Sequence, residues 1–103
     1  MGESAARLLS FAKRFARDLE RVESWYLKTA TERVADDAID AIIAQAERIA
    51  RLGLQFRPGY KGTRECPLSR YPFLLIYRID ARAVQMLRVI NGRGAFLNKR
   101  ARP

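Results

Sequence analysis

The sequence predicts an α+β domain: an N-terminal α-helical hairpin packed on a small antiparallel β-sheet. Three observations carry this reading. Apolar residues recur at three- and four-residue steps through two successive stretches before Gly53, the spacing of one helix face. The connection between those stretches is so short that the two helices must lie antiparallel. After Gly53 the helical period is lost, and dense apolar runs of strand length alternate with turn residues.

Taken in order, residues 6–10 fit either a short edge strand or a lead into a helix, and the residues alone leave both open. Phe11, Phe15, Leu19, Val22 and Tyr26 form one stripe, with Lys13, Arg17, Glu20 and Arg21 largely on the other side. Thr29-Ala-Thr-Glu32 reads as a capping box, a threonine accepting from a helical amide while Glu32 reaches back. The second helix buries Ala35, Ile39, Ile42, Ile43, Ala46, Ile49 and Ala50. Asp36 and Asp37 lie near its start and Arg48 and Arg51 near its end, as the macrodipole favours. Gly53 is expected to be its left-handed C-cap. Pro58-Gly59 and Lys61-Gly62 mark a loop, and Thr63–Leu68 a strand limited by Pro67. Phe73–Ile79 reads as a central strand buried on both faces, Asp80-Ala-Arg82 as a tight turn, and Ala83–Asn91 as the returning strand.

At 103 residues the chain is expected to form one domain, residues 1–103, with a basic tail over about 95–103 that orders only when bound. Hydrophobic residues at 49% and charged ones at 30% fit a globular rather than a disordered chain. No run reaches the roughly 18 apolar residues of a membrane span. Glu3 stands where a signal peptide wants basic residues, so no membrane partner and a cytoplasmic location are expected. Cys66 is the single cysteine and histidine is absent. That excludes an internal disulfide, a conventional zinc site and histidine acid–base chemistry, and no metal or cofactor is expected.

The net charge of +9 is unevenly placed. Residues 1–56 hold nine basic and nine acidic residues, whereas residues 57–103 hold eleven basic residues against Glu65 and Asp80 alone. Such a density favours an acidic or polyanionic partner, the dull alternative being a solvated surface kept for solubility. The sheet side left open by the helices is where this charge is expected to gather.

Four stretches resemble the RelE/ParE superfamily of small bacterial toxins. Phe15-Ala-Arg-Asp-Leu-Glu-Arg-Val22 is similar to its first-helix A-x-x-D-L-x-x-I stretch, and Gly62-Thr-Arg-Glu65 to its G-x-R-E opening of the sheet. Tyr71–Ile79 is similar to the central strand Y-P-Y-x-I-x-Y-R-V, and Met86–Arg93 to the terminal strand I-L-R-V-x-H-G-R. Each motif is weak alone, but their order and spacing over about residues 11–94 are fairly specific. The resemblance implies the toxin of a type II toxin–antitoxin system with a cognate antitoxin as partner. One branch, RelE-like, consists of ribosome-dependent messenger-RNA endonucleases. Characterised members of the other, ParE-like, are associated with DNA gyrase.

Metal-free RNA cleavage needs groups that take and give a proton as well as groups that stabilise anionic charge. Arginine serves only the second need. Asn91 stands where the resemblance implies a histidine, no tyrosine follows Tyr77, and Glu65-Cys66-Pro67 occupies the place of a lysine pair. The reading therefore favours the ParE-like branch and a toxin acting by contact, with no catalytic residue assigned. The alternative is an endoribonuclease on the ribosome; a nontoxic nucleic-acid-binding module is the third reading.

Arg64, Arg70, Arg78, Arg88, Asn91 and Arg93 are the candidate residues for binding target or antitoxin. Arg64 is balanced between a salt bridge to Glu20 or Glu23 and a place on the toxic surface. Arg88, on an apolar strand, must emerge on the open side or find a buried partner, because an unpaired buried charge is costly. The open side is the expectation. Arg93 is either the main functional cation or a solvated strand end. Phe15, Trp25 and Tyr26 are expected in the helix packing rather than as a base-stacking platform. Cys66 is expected to be a small buried residue.

Overall fold

A computed structural model describes residues 6–92 of the chain. Arg93 and the basic tail lie outside the described residues. Strand β1 (Leu8–Phe11) leads into helix α1 (Lys13–Thr29) and helix α2 (Glu32–Leu52); strands β2 (Arg57–Pro58), β3 (Arg64–Pro67), β4 (Phe73–Ile79) and β5 (Ala83–Asn91) follow. The sheet order is β1-β5-β4-β3-β2. All its pairings are antiparallel except β1 on β5, which is parallel, so the sheet is mixed.

The open question at residues 6–10 resolves as a strand, in which Leu8 pairs with Ala83 and Phe11 with Met86. Phe11 thus ends a strand instead of opening the helical stripe, although its ring still meets Phe15 at 5.3 Å. No side chain caps α1; the Ala12 amide donates to the Met86 carbonyl at 2.9 Å, so the sheet edge itself holds the start of this helix. The capping box expected at Thr29 lies two residues too early. Thr31 is the N-cap of α2, its hydroxyl accepting from Val34 N–H at 3.1 Å, and the Thr29 hydroxyl donates to the Trp25 carbonyl. Glu32 is therefore the first residue of the helix and not the third, and cannot complete the box. At the other end Gly53 adopts φ 67 and its amide closes on the Ile49 carbonyl, as expected.

Phe15, Val22 and Tyr26 of α1 meet Ala35, Ala38, Ile42, Ala46 and Ile49 of α2 over Leu75, Tyr77, Val84, Met86 and Val89 of the sheet. The alanine-rich face of α2 lets the helices approach closely while longer side chains fill the sheet side. The fully buried Tyr77 carries a polar atom into this core. Its hydroxyl donates to the Leu54 carbonyl at 2.7 Å and accepts from Phe56 N–H at 3.1 Å, tying the segment after α2 to the sheet. Strand β2, two residues long, lies within the stretch read as loop; with Pro58 short of a donor it suits the sheet margin.

Among the described residues no helix is long and apolar enough to cross a membrane.

Gly53 is a position where a side chain would be strained, since its left-handed φ disfavours other residues and an added Cβ would meet the Arg7 guanidinium. Gly53→Ala should cost about 1 kcal/mol, a fall of roughly 4–8 °C in the thermal unfolding midpoint. An unchanged midpoint would show that the cap contributes nothing.

Candidate functional site

The bulge in β5 shapes the site. Met86 pairs with Tyr77 and Arg88 with Ile76, which leaves Leu87 as an extra residue. Strand β1 has already ended opposite Met86, so Val89 N–H has no neighbouring strand to receive it and donates to Asp18 of α1 at 2.8 Å. Arg88 turns to the same carboxylate, with its Nε 2.8 Å from Oδ2 and an Nη 3.3 Å from Oδ1; Arg21 adds a bond at 2.9 Å. Asp18 is only 2% exposed. Burial pushes its carboxyl up, but the hydrogen bonds of Arg88, Val89 and Arg21 and the attraction of Arg88 outweigh this and hold it below the ordinary carboxylate range.

Beside this bridge runs a groove of about 330 Å³ between α1 and the ends of β4 and β5. Val22, Phe73, Val89 and Ile90 give it an apolar lining, Arg21 and Arg88 with the Asp18 they bind leave one net positive charge, and Trp25 and Asn91 also line it. Trp25 is 55% exposed, contrary to the expectation that it would be packed away; its ring meets Tyr26 edge-on at 4.8 Å. Such a surface can hold an extended or helical peptide that carries apolar side chains and acidic groups.

Of the candidate residues that are described, the structure brings Arg88 and Asn91 into this groove. Arg88 finds a buried partner instead of emerging free on the open side. Arg64 donates to the Phe56 carbonyl at 3.1 Å, a backbone partner in place of the expected Glu20 or Glu23. Arg78 is exposed, with an Nη 3.4 Å from the Lys61 carbonyl. Arg70 lies in the loop before β4, 3.1 Å from Asp37 and 5.5 Å from the centre of the Tyr71 ring. Tyr71 donates to that same Asp37 carboxylate, which this bond, more than the nearby Arg70, holds below its ordinary range. Arg93 lies outside the described residues.

The side of the sheet away from the helices is not a continuous cationic face. Register places Leu74, Ile76 and Arg78 of β4 there, beside Glu65 and Pro67 of β3. Glu65 is itself buried, 3.5 Å from Arg57. Asp18 and Trp25 were missed as site residues by the sequence reading. For Asp18 a signal existed: it lies three residues after Phe15 and four before Val22, on the apolar stripe, where an acid demands a partner. Cys66 is buried, as expected, and takes a hydrogen bond from Gln45. Among the described residues no cluster of potential metal ligands occurs.

Comparison with known proteins agrees with this architecture. The sequence profile of the ParE toxin of the type II toxin–antitoxin system parDE matches residues 9–96. Among solved structures, the chromosomal ParDE toxin–antitoxin system of P. aeruginosa superposes with a TM-score of 0.78 at 24% identity, covering 87% of this chain and 100% of that one. The toxin–antitoxin complex RelBE2 of Mycobacterium tuberculosis gives 0.61 at 20% identity over 88% and 97%. The E. coli DinJ-YafQ complex gives 0.57 at 12% identity over 87% and 96%. No curated protein sequence matches. The fold is that of the RelE/ParE-like toxins. The chain belongs to the ParE toxin family of type II toxin–antitoxin systems.

Because its folded carboxyl is held low, Asp18 stabilises the fold above the ordinary aspartate pKa of about 3.9, and this contribution is lost as pH falls through the folded value. Urea unfolding at stepped pH should therefore show stability falling below about pH 4. Asp18→Asn should flatten that limb, though not abolish it, since Asp37 and Asp80 are also held low. Coincident slopes for the two proteins would reject the bridge. Removing one partner, as in Asp18→Leu, should cost about 3 kcal/mol, and Asp18→Leu with Arg88→Met should recover part of it.

Proposed function

We propose that this toxin acts in the cytoplasm as a single domain by binding DNA gyrase, without cleaving a substrate, and that a cognate antitoxin neutralises it. The observation that carries the reading is the groove between α1 and β5. It combines an apolar lining, two cations, an exposed tryptophan and a strand edge beyond the end of β1, the features of a protein-docking surface. The solved neighbours from P. aeruginosa and M. tuberculosis are toxin–antitoxin systems or complexes, which supports an antitoxin as partner.

The side chains present favour contact over catalysis. Histidine is absent, Tyr77 is buried with its hydroxyl bonded to backbone groups, and the Tyr71 hydroxyl is engaged by Asp37. The Asp37 bond also raises the Tyr71 pKa, which makes that hydroxyl a poorer acid. Arginine stabilises anionic charge but does not shuttle protons at neutral pH.

The antitoxin segment that fits the groove is acidic and apolar, and it orders on contact. Calorimetry with the product of the neighbouring gene should show tight binding and a raised unfolding midpoint. Trp25→Ala, at an exposed position, should weaken that binding at least about tenfold; unchanged affinity would remove the groove from the interface. Purified toxin should inhibit supercoiling by gyrase. Normal supercoiling together with new codon-specific transcript ends after induction would replace this reading with that of a ribosome-dependent endoribonuclease.

A further inference from the structure

The charge of the described residues concentrates at one end of the sheet, where β4 leaves and β5 enters, away from the α1–α2 connection. Arg7, Arg57, Lys61, Arg64, Arg78 and Arg82 all belong to this end, brought together by the pairings of β1, β3 and β4 and the turn at Asp80. Several of their hydrogen bonds run to carbonyls: Arg7 to Asp80, Arg64 to Phe56 and Arg78 to Lys61. A carbonyl fixes a guanidinium without cancelling its charge. Two acids lie nearby, and Asp80 offsets part of the charge of Arg82 and Arg7. Glu65 is buried against Arg57, and the Asp80 carboxylate accepts from the amides of Arg82 and Ala83.

At the corner of this end, a 3-10 turn at Tyr60–Gly62 raises an aromatic ring into solvent, with Tyr60 75% exposed. Lys61 holds φ 51, an uncommon left-handed conformation for a residue that is not glycine. Its ammonium lies 5.4 Å from the centre of the Tyr60 ring. The turn is anchored from beneath by the Thr63 hydroxyl on the Tyr60 carbonyl, at 2.7 Å, and by Arg78 on the Lys61 carbonyl. Nothing in the core requires an exposed tyrosine on a strained turn. An aromatic ring beside fixed cations matches a partner that repeats negative charge and offers flat, unpaired rings.

We propose that this corner, centred on Tyr60, Lys61 and Arg78, binds a single-stranded nucleic acid. A base would stack on Tyr60 while the flanking phosphates meet Lys61 and Arg78. A duplex would supply the charge but keep its bases stacked away from the ring, and an acidic protein lacks the regular repeat of charge and flat ring that a single strand offers. This surface is separate from the α1–β5 groove and does not depend on the function proposed for that groove.

The test uses full-length toxin and fluorescein-labelled twelve-nucleotide oligo-dT, oligo-U and a duplex of equal length, read by fluorescence anisotropy at low salt. Both single strands should bind more tightly than the duplex, and comparison of the two strands shows whether DNA or RNA is preferred. Tyr60→Ala should weaken single-strand binding about tenfold while Tyr60→Phe retains it. Lys61→Gln with Arg78→Gln should reduce the slope of log affinity against log salt by about 1.4, two phosphate contacts at roughly 0.7 each. Lys13→Gln with Arg17→Gln removes the same charge from exposed positions on α1 and should change little. Duplex binding as tight as single-strand binding, insensitivity to Tyr60→Ala, equal loss from the α1 pair, or absence of binding would each overturn the proposal.

Discussion

The Asp18 carboxylate is the point on which the helix layer, the sheet edge and the groove all depend. It gathers Arg88, the Val89 amide and Arg21 on one buried group. The geometry follows from a mismatch of lengths: β1 has four residues, β5 has nine, and the long strand needs something to finish its edge. A carboxylate from α1 substitutes for the missing strand. The arrangement is an ionic contact in a place where a desolvated charge costs several kcal/mol unless every partner is present. Its value is therefore positional: it fixes how far α1 stands from β5, and so the width of the space between them.

Much of the fold was legible because periodicity and turn chemistry agreed. Phe73–Ile79 and Ala83–Asn91 are strands with the boundaries expected from their composition, since an apolar run of that length between turn residues has few other solutions. Gly53 ended the second helix for the same reason. The errors came where two neighbouring residues could serve equally. Thr29 and Thr31 are both plausible caps, and the extension of α1 through Thr29 decided between them. Residues 8–11 carry no strong local pattern, and their strand exists only because Met86 and its neighbours, more than seventy residues away, offer an edge.

The site was less legible than the fold. Composition correctly placed the excess charge in the second half of the sequence, but it could not show which side of the sheet would receive it. Strand alternation with a bulge at Leu87 and the pull of Asp18 directed Arg88 to the edge, while Arg64 turned to a carbonyl near the end of α2. An arginine's long side chain lets its head lie far from its backbone position, so sequence spacing is a poor guide to where the charge sits. The acid on an apolar stripe was the better clue. A buried carboxylate implies a cation, and Arg88, a charge on an apolar strand, needs a partner for the same reason.

The parallel pairing of β1 with β5 has a consequence for biosynthesis. Strand β1 has no template until residues 83–86 have also emerged from the ribosome, so its edge of the sheet can close only when nearly the whole described chain is outside. Until then Leu9, and the Leu8 and Ala12 amides that later donate to the Arg82 and Met86 carbonyls, face water. Closing so wide a sequence interval is intrinsically slow, and a nascent protein in that interval presents surfaces that its finished form conceals. A protein already waiting at the ribosome would thus meet a softer molecule than one arriving later.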